Sequence, residues 1–194
     1  AFKNPIVAFG KLADIHVFGE VTSDAVLMGK DGWMFYKLKG EMEDSIADYQ
    51  GTNHYSVDEM ERFGALLKQA EENLASRGIK LVFYMVPNKE QVYSEFMPSS
   101  VKVVQEQSKA DLLYEYLKEN TDCDVYYPLH EFRKAKDDWC QIYRKYDTHW
   151  NDMGAFMASQ MVIQDIDGEP FGPESYRSYD IENRGTFSGD LATM

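Results

Sequence analysis

The chain has 194 residues, 44% hydrophobic and 27% charged, which suits one sizeable folded α/β domain and excludes a long disordered chain. A formal charge of −13 leaves no cluster of Lys and Arg to neutralise phosphates, so nucleic acid is excluded as a partner and docking on an anionic bilayer is disfavoured. No run approaches the ~20 apolar residues that span a bilayer, so no membrane insertion is expected.

Residues 1–25 lack strong periodicity and read as an extended lead-in. The chain starts at Ala1 rather than Met, so the absence of a legible export signal leaves its location open. Next, Val26-Leu27-Met28 and Trp33-Met34-Phe35-Tyr36 flank a Lys-Asp-Gly turn, and an Asp-Gly step accepts positive φ. A β-hairpin is expected. Its aromatics read as core packing, with the wall of a sugar site as the alternative.

A loop with a short helix around Met42 to Tyr49 follows. Ser56 and Glu59 form a capping-box pattern ahead of Met60, Phe63, Leu66, Leu67, Ala70 and Leu74, and Gly78 ends that helix as a left-handed cap. Ile79 to Val86 is a near-continuous apolar run, the pattern of a parallel strand buried on both faces. Pro87-Asn88-Lys89 stops it at the edge where open α/β folds carry their sites.

Ser108 and Asp111 open another helix, with Leu112, Leu113, Tyr116 and Leu117 inward. Asp124 to Leu129 reads as a strand, 129–137 as a short amphipathic helix, and Asn151 as the cap of a helix through Ile163. Met153, Phe156, Met157 and Met161 lie on that helix's buried side, as core filler. Strand, helix, strand with short links signals βαβ units. From Asp167 onward the pattern dissolves into a Gly- and Pro-punctuated segment. The organisation expected is a lead-in over 1–25, an α/β domain over 26–166 and an irregular segment over 167–194.

The chemistry concentrates in Tyr146-Asp147-Thr148-His149-Trp150. Residues i and i+2 of an extended or turning segment share a side, so Asp147 can accept from one His149 nitrogen and leave the other free to take a proton. That is two thirds of a nucleophile–base–orienter triad; the competing reading is a structural Asp–His pair in a turn. Metal ligation has little support, because His16, His54, His130 and His149 are scattered and no His-x-x-x-His or Glu-x-x-His pair exists. For the missing nucleophile, Ser188 sits in Gly185-Thr186-Phe187-Ser188-Gly189, which is not a Gly-x-Ser-x-Gly elbow and reads first as a structural turn. Cys123 and Cys140 match no zinc or redox spacing, read as free thiols rather than a disulfide, and have no activating neighbours in sequence.

Three stretches then combine: Met28-Gly29-Lys30-Asp31-Gly32-Trp33-Met34-Phe35-Tyr36, Val86-Pro87-Asn88-Lys89-Glu90-Gln91-Val92-Tyr93, and Tyr146-Asp147-Thr148-His149-Trp150-Asn151 with Gly154-Ala155. On these the chain resembles the AlgX/AlgJ-type alginate O-acetyltransferases, relatives of the bacterial proteins named for an Asp-His-His-Trp motif. The resemblance covers roughly residues 26–160. It implies an SGNH-hydrolase-like α/β fold, a parallel sheet flanked by helices in permuted order, with Asp147 and His149 on the family's Asp-x-His. The family's serine follows in a later segment that has no match up to Met194. The resemblance therefore implies either an N-terminal fragment or a relative without the nucleophile.

The implied activity is two-step acyl transfer onto an exported or cell-surface polysaccharide from an acetyl donor, extracytoplasmic and without a cofactor. A carbohydrate acetylesterase and a non-catalytic carbohydrate-binding or scaffold protein are the alternatives. Asn88 is a candidate oxyanion donor, with an Asx-type turn as the other reading. Lys89 is a candidate contact to an anionic sugar, with a solvent-facing side chain as the other. Tyr146 and Trp150 are candidate substrate contacts.

Overall fold

The computed structural model describes residues 24–40, 43–168, 182 and 189–194. All but the last two residues of the lead-in expected over 1–25, and most of the segment expected from 167, lie outside the described residues. What is described forms two compact units. The first holds residues 24–37, 93–98 and 131 onward, and the second holds 38–92 and 99–130.

The first unit opens with the expected hairpin. Strand β1 (Val26–Met28) pairs antiparallel with β2 (Met34–Tyr36), Leu27 opposite Phe35. The turn needs two residues with positive φ, and Asp31 (52°) and Gly32 (72°) supply them. Asp tolerates this region better than most side chains and Gly enters it without a Cβ penalty. Two of the hairpin's aromatics, Trp33 and Phe35, are core, and Tyr36 is half-buried. Trp33 and Phe35 are 5% and 0% exposed, and the Trp33 ring stacks on Tyr93 and Phe96 with centroids 4.3 and 4.8 Å apart. No sugar platform is left on Trp33 or Phe35.

The second unit begins with α1 (Ser45–Gln50), which the Asp44 side chain caps by accepting the Ala47 N–H at 2.9 Å. The expected start near Met42 falls on a residue outside those described. Helix α2 (Val57–Ala75) starts on the full capping box of Ser56 and Glu59. It ends in a Schellman turn, with the Ile79 N–H donating to the Leu74 carbonyl and Gly78 at φ 72°. One stripe of α2 does pack, with Leu67 8% exposed, but Leu66 is 66% exposed and Phe63 37%.

Strand β3 (Val82–Tyr84) is shorter than the apolar run that encodes it. It pairs in parallel with β4 (Asp124–Tyr126), Phe83 opposite Val125. The expectation of burial on both faces does not hold. Its three residues are half-buried, and Ile79 and Val86 beyond its ends are 49% and 51% exposed. Among the described residues this sheet has two strands, so each lies at an edge.

The chain then makes a single turn, α3 (Lys89–Val92), and later α4 (Lys109–Asn120), which again starts on a complete capping box, Ser108 with Asp111. Leu67, Leu113, Leu117, Cys123 and Val125 form this unit's core. Burying a leucine such as Leu117, 0% exposed, stabilises by about 1.5–3 kcal/mol. The strand expected to reach Leu129 stops at Tyr126, and Leu129 instead opens α5 (Leu129–Asp138). Back in the first unit, α6 (Asp152–Asp167) runs one turn past its expected end and closes on Gly168 at φ 74°.

Removing the hydroxyl that opens α4 tests this account. Ser108 is 4% exposed, and Ser108→Ala strands the Asp111 N–H that its oxygen accepts. A loss of about 1 kcal/mol is expected, read as a lower urea midpoint at constant m.

Candidate active site

The loop that carries Asp147 and His149 is closed at its base before it does any chemistry. Tyr143 and Trp150 form an isolated antiparallel bridge. Beside it, the Arg144 N–H donates to the His149 carbonyl at 3.2 Å and the Asn151 N–H to the Ile142 carbonyl at 2.9 Å. Asn151 then does two jobs. Its Nδ2 donates to the Gln141 carbonyl at 2.7 Å, and its Oδ1 accepts the Met153 and Gly154 N–H groups, capping α6. A Cβ on Gly154 would collide with the Ile142 carbonyl, so only glycine lets the helix approach the loop this closely.

Neighbouring elements of the same unit hold the loop. The Ile142 N–H donates to Tyr93 Oη at 2.9 Å, and the Met34 N–H of β2 donates to the Lys145 carbonyl at 3.1 Å. The Tyr143 ring packs against Phe132 and Tyr93. Trp150 is half-buried with its ring 6.2 Å from Phe132, and Tyr146 is 44% exposed.

On this frame Asp147 is 4% exposed and its carboxylate is surrounded by donors. Oδ1 accepts the His149 backbone N–H at 2.9 Å and the ring Nδ1–H at 2.8 Å, and Oδ2 accepts the Asp190 N–H at 2.9 Å. Burial pushes the carboxyl upward, but these N–H groups outweigh it and hold it below its ordinary value. An ionised carboxylate only accepts, so the proton of the neutral imidazole sits on Nδ1 and the lone pair on Nε2. The His149 side chain is 76% exposed, and among the described residues Nε2 has no hydrogen-bond partner. The pair can accept a proton from a hydroxyl brought to Nε2 and shelter the resulting charge.

A third acidic group belongs to this cluster, and sequence reasoning missed it. The Thr148 N–H donates to Asp190 Oδ1 at 2.8 Å, the Thr148 hydroxyl to Asp190 Oδ2 at 2.6 Å, and His149 Nδ1 lies 3.7 Å from the same Oδ2. Asp190 is more than forty residues away in sequence, so no local spacing points to it. The only hint is the Gly-Asp step: a Cβ at Gly189 would overlap the Tyr146 carbonyl. Oxygens of Asp147 and Asp190 and a nitrogen of His149 lie within 4.8 Å of one another, close enough to consider a cation. The carboxylate oxygens face N–H and O–H hydrogens, which suits a proton-handling network.

The remaining candidates fall differently. Ser188 lies outside the described residues. Both cysteines are free thiols, and burial pushes both up in pKa, the opposite of activation. Asn88 and Lys89 belong to the second unit. Asn88 is exposed, and its carbonyl accepts the Gln91 and Val92 N–H groups, starting α3. Lys89 is 4% exposed, so it does not face solvent. In the same unit Asn88 lines a cavity of about 210 Å³ with Asp48, Tyr55, Gln91 and Lys109. Among the described residues no helix is long and apolar enough to cross a membrane.

Comparison with known proteins identifies the family and the fold. Residues 26–194 match the family model for the SGNH hydrolase-like domain of the acetyltransferase AlgX. The chain is 28% identical over 193 residues to the probable alginate O-acetylase AlgJ of Pseudomonas syringae pv. tomato, covering 93% of this chain and 44% of that protein. Its fold is similar to the O-acetyltransferase domain of Pseudomonas putida AlgJ, with a TM-score of 0.58 and 20% identity over 86% of this chain and 56% of that one. Bacillus cereus PatB1 with a sulfonyl adduct is similar at a TM-score of 0.51 and 18% identity, over 78% of this chain and 46% of that one. The chain thus spans less than half the length of the curated relatives it matches.

The depressed Asp147 carboxyl carries a pH signature. Its stabilising contribution is complete above the ordinary aspartate range and is lost as pH falls through the lower folded-state value. Asp147→Asn is therefore expected to unfold more easily at neutral pH. The gap from wild type should narrow as pH falls below the ordinary range, as checked by urea unfolding across a pH series.

Proposed function

We propose, from the premise that this chain belongs to the SGNH hydrolase-like acetyltransferase family of AlgX, that it carries the Asp–His half of a Ser–His–Asp centre that O-acetylates a polysaccharide. One observation carries the reading: Asp147 Oδ1 holds His149 Nδ1 at 2.8 Å while the ring stays 76% exposed. An Asp–His pair that served packing alone would have no need to present its free nitrogen to solvent.

In this mechanism His149 Nε2 takes the proton of a serine hydroxyl, the serine oxygen attacks the acyl carbon of a donor ester, and the imidazolium gives that proton to the departing alcohol. His149 then takes the proton of a sugar hydroxyl, which attacks the acyl carbon, and returns that proton to the serine oxygen as it leaves. Asp147 keeps the imidazole in the correct tautomer and faces the positive charge as it forms. The serine is not assigned among the residues of this chain. Donors to the tetrahedral oxyanion are each worth about 10²–10³ in rate. Tyr146, exposed beside the dyad, is the candidate for stacking on a sugar ring, and Trp150 the more enclosed support behind the loop. The chemistry needs no cofactor. The relatives' name supports an alginate-like acceptor, and an exported polymer would be met outside the cytoplasm, in the periplasm or at the cell surface.

A carbohydrate esterase is the second reading, favoured by the same exposure of His149, since transfer requires that water be kept from the acyl-enzyme. The two part on products. In the protein containing this chain, given an acetyl ester donor and an oligosaccharide acceptor, acetylated oligosaccharide is expected and free acetate alone would favour the esterase. His149→Ala is expected to lower turnover by about 10²–10⁴-fold. Unchanged turnover would remove the assigned base, and sugar binding without turnover in wild type would leave a binding protein.

A further inference from the structure

We propose that Asp190 is a positioning residue for the Asp147–His149 pair, fixing the tautomer of His149 from a turn remote in sequence. The inference rests on the acyl-transfer reading for its purpose, but its geometry stands independently.

Asp190 grips the dyad loop from three sides. Its backbone N–H donates to Asp147 Oδ2 at 2.9 Å, so the carboxylate cannot swing away from the imidazole without breaking that bond. Its Oδ1 accepts the Thr148 N–H at 2.8 Å, which pins the peptide between the two dyad residues. Its Oδ2 accepts the Thr148 hydroxyl at 2.6 Å. That last bond sets a polarity. The Thr148 oxygen lies 3.1 Å from His149 Nδ1, and because its hydrogen is given to Asp190 it can only accept from the ring. Thr148 and Asp147 therefore make the same demand, a proton on Nδ1, and both leave the lone pair on Nε2.

The turn is built to stay there. Asp190 Oδ1 also accepts the Leu191 N–H at 2.6 Å, and the Asp190 carbonyl accepts from Thr193 and Met194. Leu191 is 3% exposed, anchoring the segment, and Gly189 passes the Tyr146 carbonyl too closely for any side chain. Asp190 is in position for a further reason. Its Oδ2 lies 3.7 Å from Nδ1, so a proton arriving at Nε2 creates an imidazolium facing two carboxylates instead of one.

Replacing the carboxylate by an amide reverses one bond without changing shape. In Asp190→Asn the side-chain oxygen can keep the Thr148 and Leu191 N–H groups, but the NH₂ now donates to the Thr148 hydroxyl. The hydroxyl hydrogen is released to point at Nδ1, against the demand of Asp147. The test is ring ¹⁵N NMR of His149 with the imidazole neutral. Wild type is expected to show a single Nδ1–H tautomer with Nε2 unprotonated and a downfield Nδ1–H proton. Asp190→Asn is expected to show a mixture of tautomers and a weakened downfield line, and Asp190→Ala to lose that line altogether.

Wild-type spectra in both variants would overturn the proposal. If Asp190→Ala fails to fold, Asp190→Asn decides alone. In turnover the variants are expected to lower kcat by about a hundredfold at unchanged KM, the scale of a misplaced catalytic group. The NMR reports the tautomer whether or not the protein transfers acetyl groups, so failure here is separable from failure of the acyl-transfer reading.

Discussion

Everything at this site depends on one carboxylate being kept ionised while almost wholly buried. A lone buried aspartate would take up a proton. Asp147 does not, because backbone N–H groups from His149 and Asp190 and the imidazole Nδ1–H converge on its two oxygens. The same bonds that hold the charge also hold the ring. The ionised state of Asp147 and the tautomer of His149 are thus one structural fact, and the outward lone pair of Nε2 follows from it.

That arrangement needs a rigid frame, and the frame comes from elements with no chemistry of their own. The Tyr143–Trp150 bridge closes the loop, Asn151 ties it to the start of α6, and the hairpin holds its flank through a backbone N–H and Tyr93 through its hydroxyl. Trp33 of the hairpin is spent on packing against Tyr93 and Phe96, and Phe35 is fully buried. A side chain enclosed in that way is unavailable to a ligand, which is why the sugar-facing reading of Trp33 and Phe35 is lost while the supporting role is gained.

The family relationship and the local geometry answer different questions. Membership in the AlgX-like acetyltransferase family identifies the SGNH-like fold. The hydrogen bonds around Asp147 show which nitrogen of His149 is free. Neither assigns the serine, and the chain spans 44% of the syringae relative's length. The proposed division of labour is that the residues around the loop set up the base, and the nucleophile is brought to it.

Local encoding explains what was legible in the residues. Capping boxes at Ser56 and Ser108, the Asp31-Gly32 turn, the Gly78 helix stop and the Asn151 cap involve partners within a few positions, so spacing alone specifies them. The Asp147–His149 contact is of the same kind, because two residues apart in a turning segment share a side. The span of β3, the burial of Lys89 and the exposure of Leu66 were not legible, since each depends on what another element covers. Asp190 is the sharpest case. Its bonds to Asp147 and Thr148 cross more than forty residues, and only folding brings that turn against the loop. The sequence by itself determined that an acid and an imidazole would meet; tertiary structure decided what surrounds them, because hydrogen-bond partners distant along the chain leave no periodic trace in it.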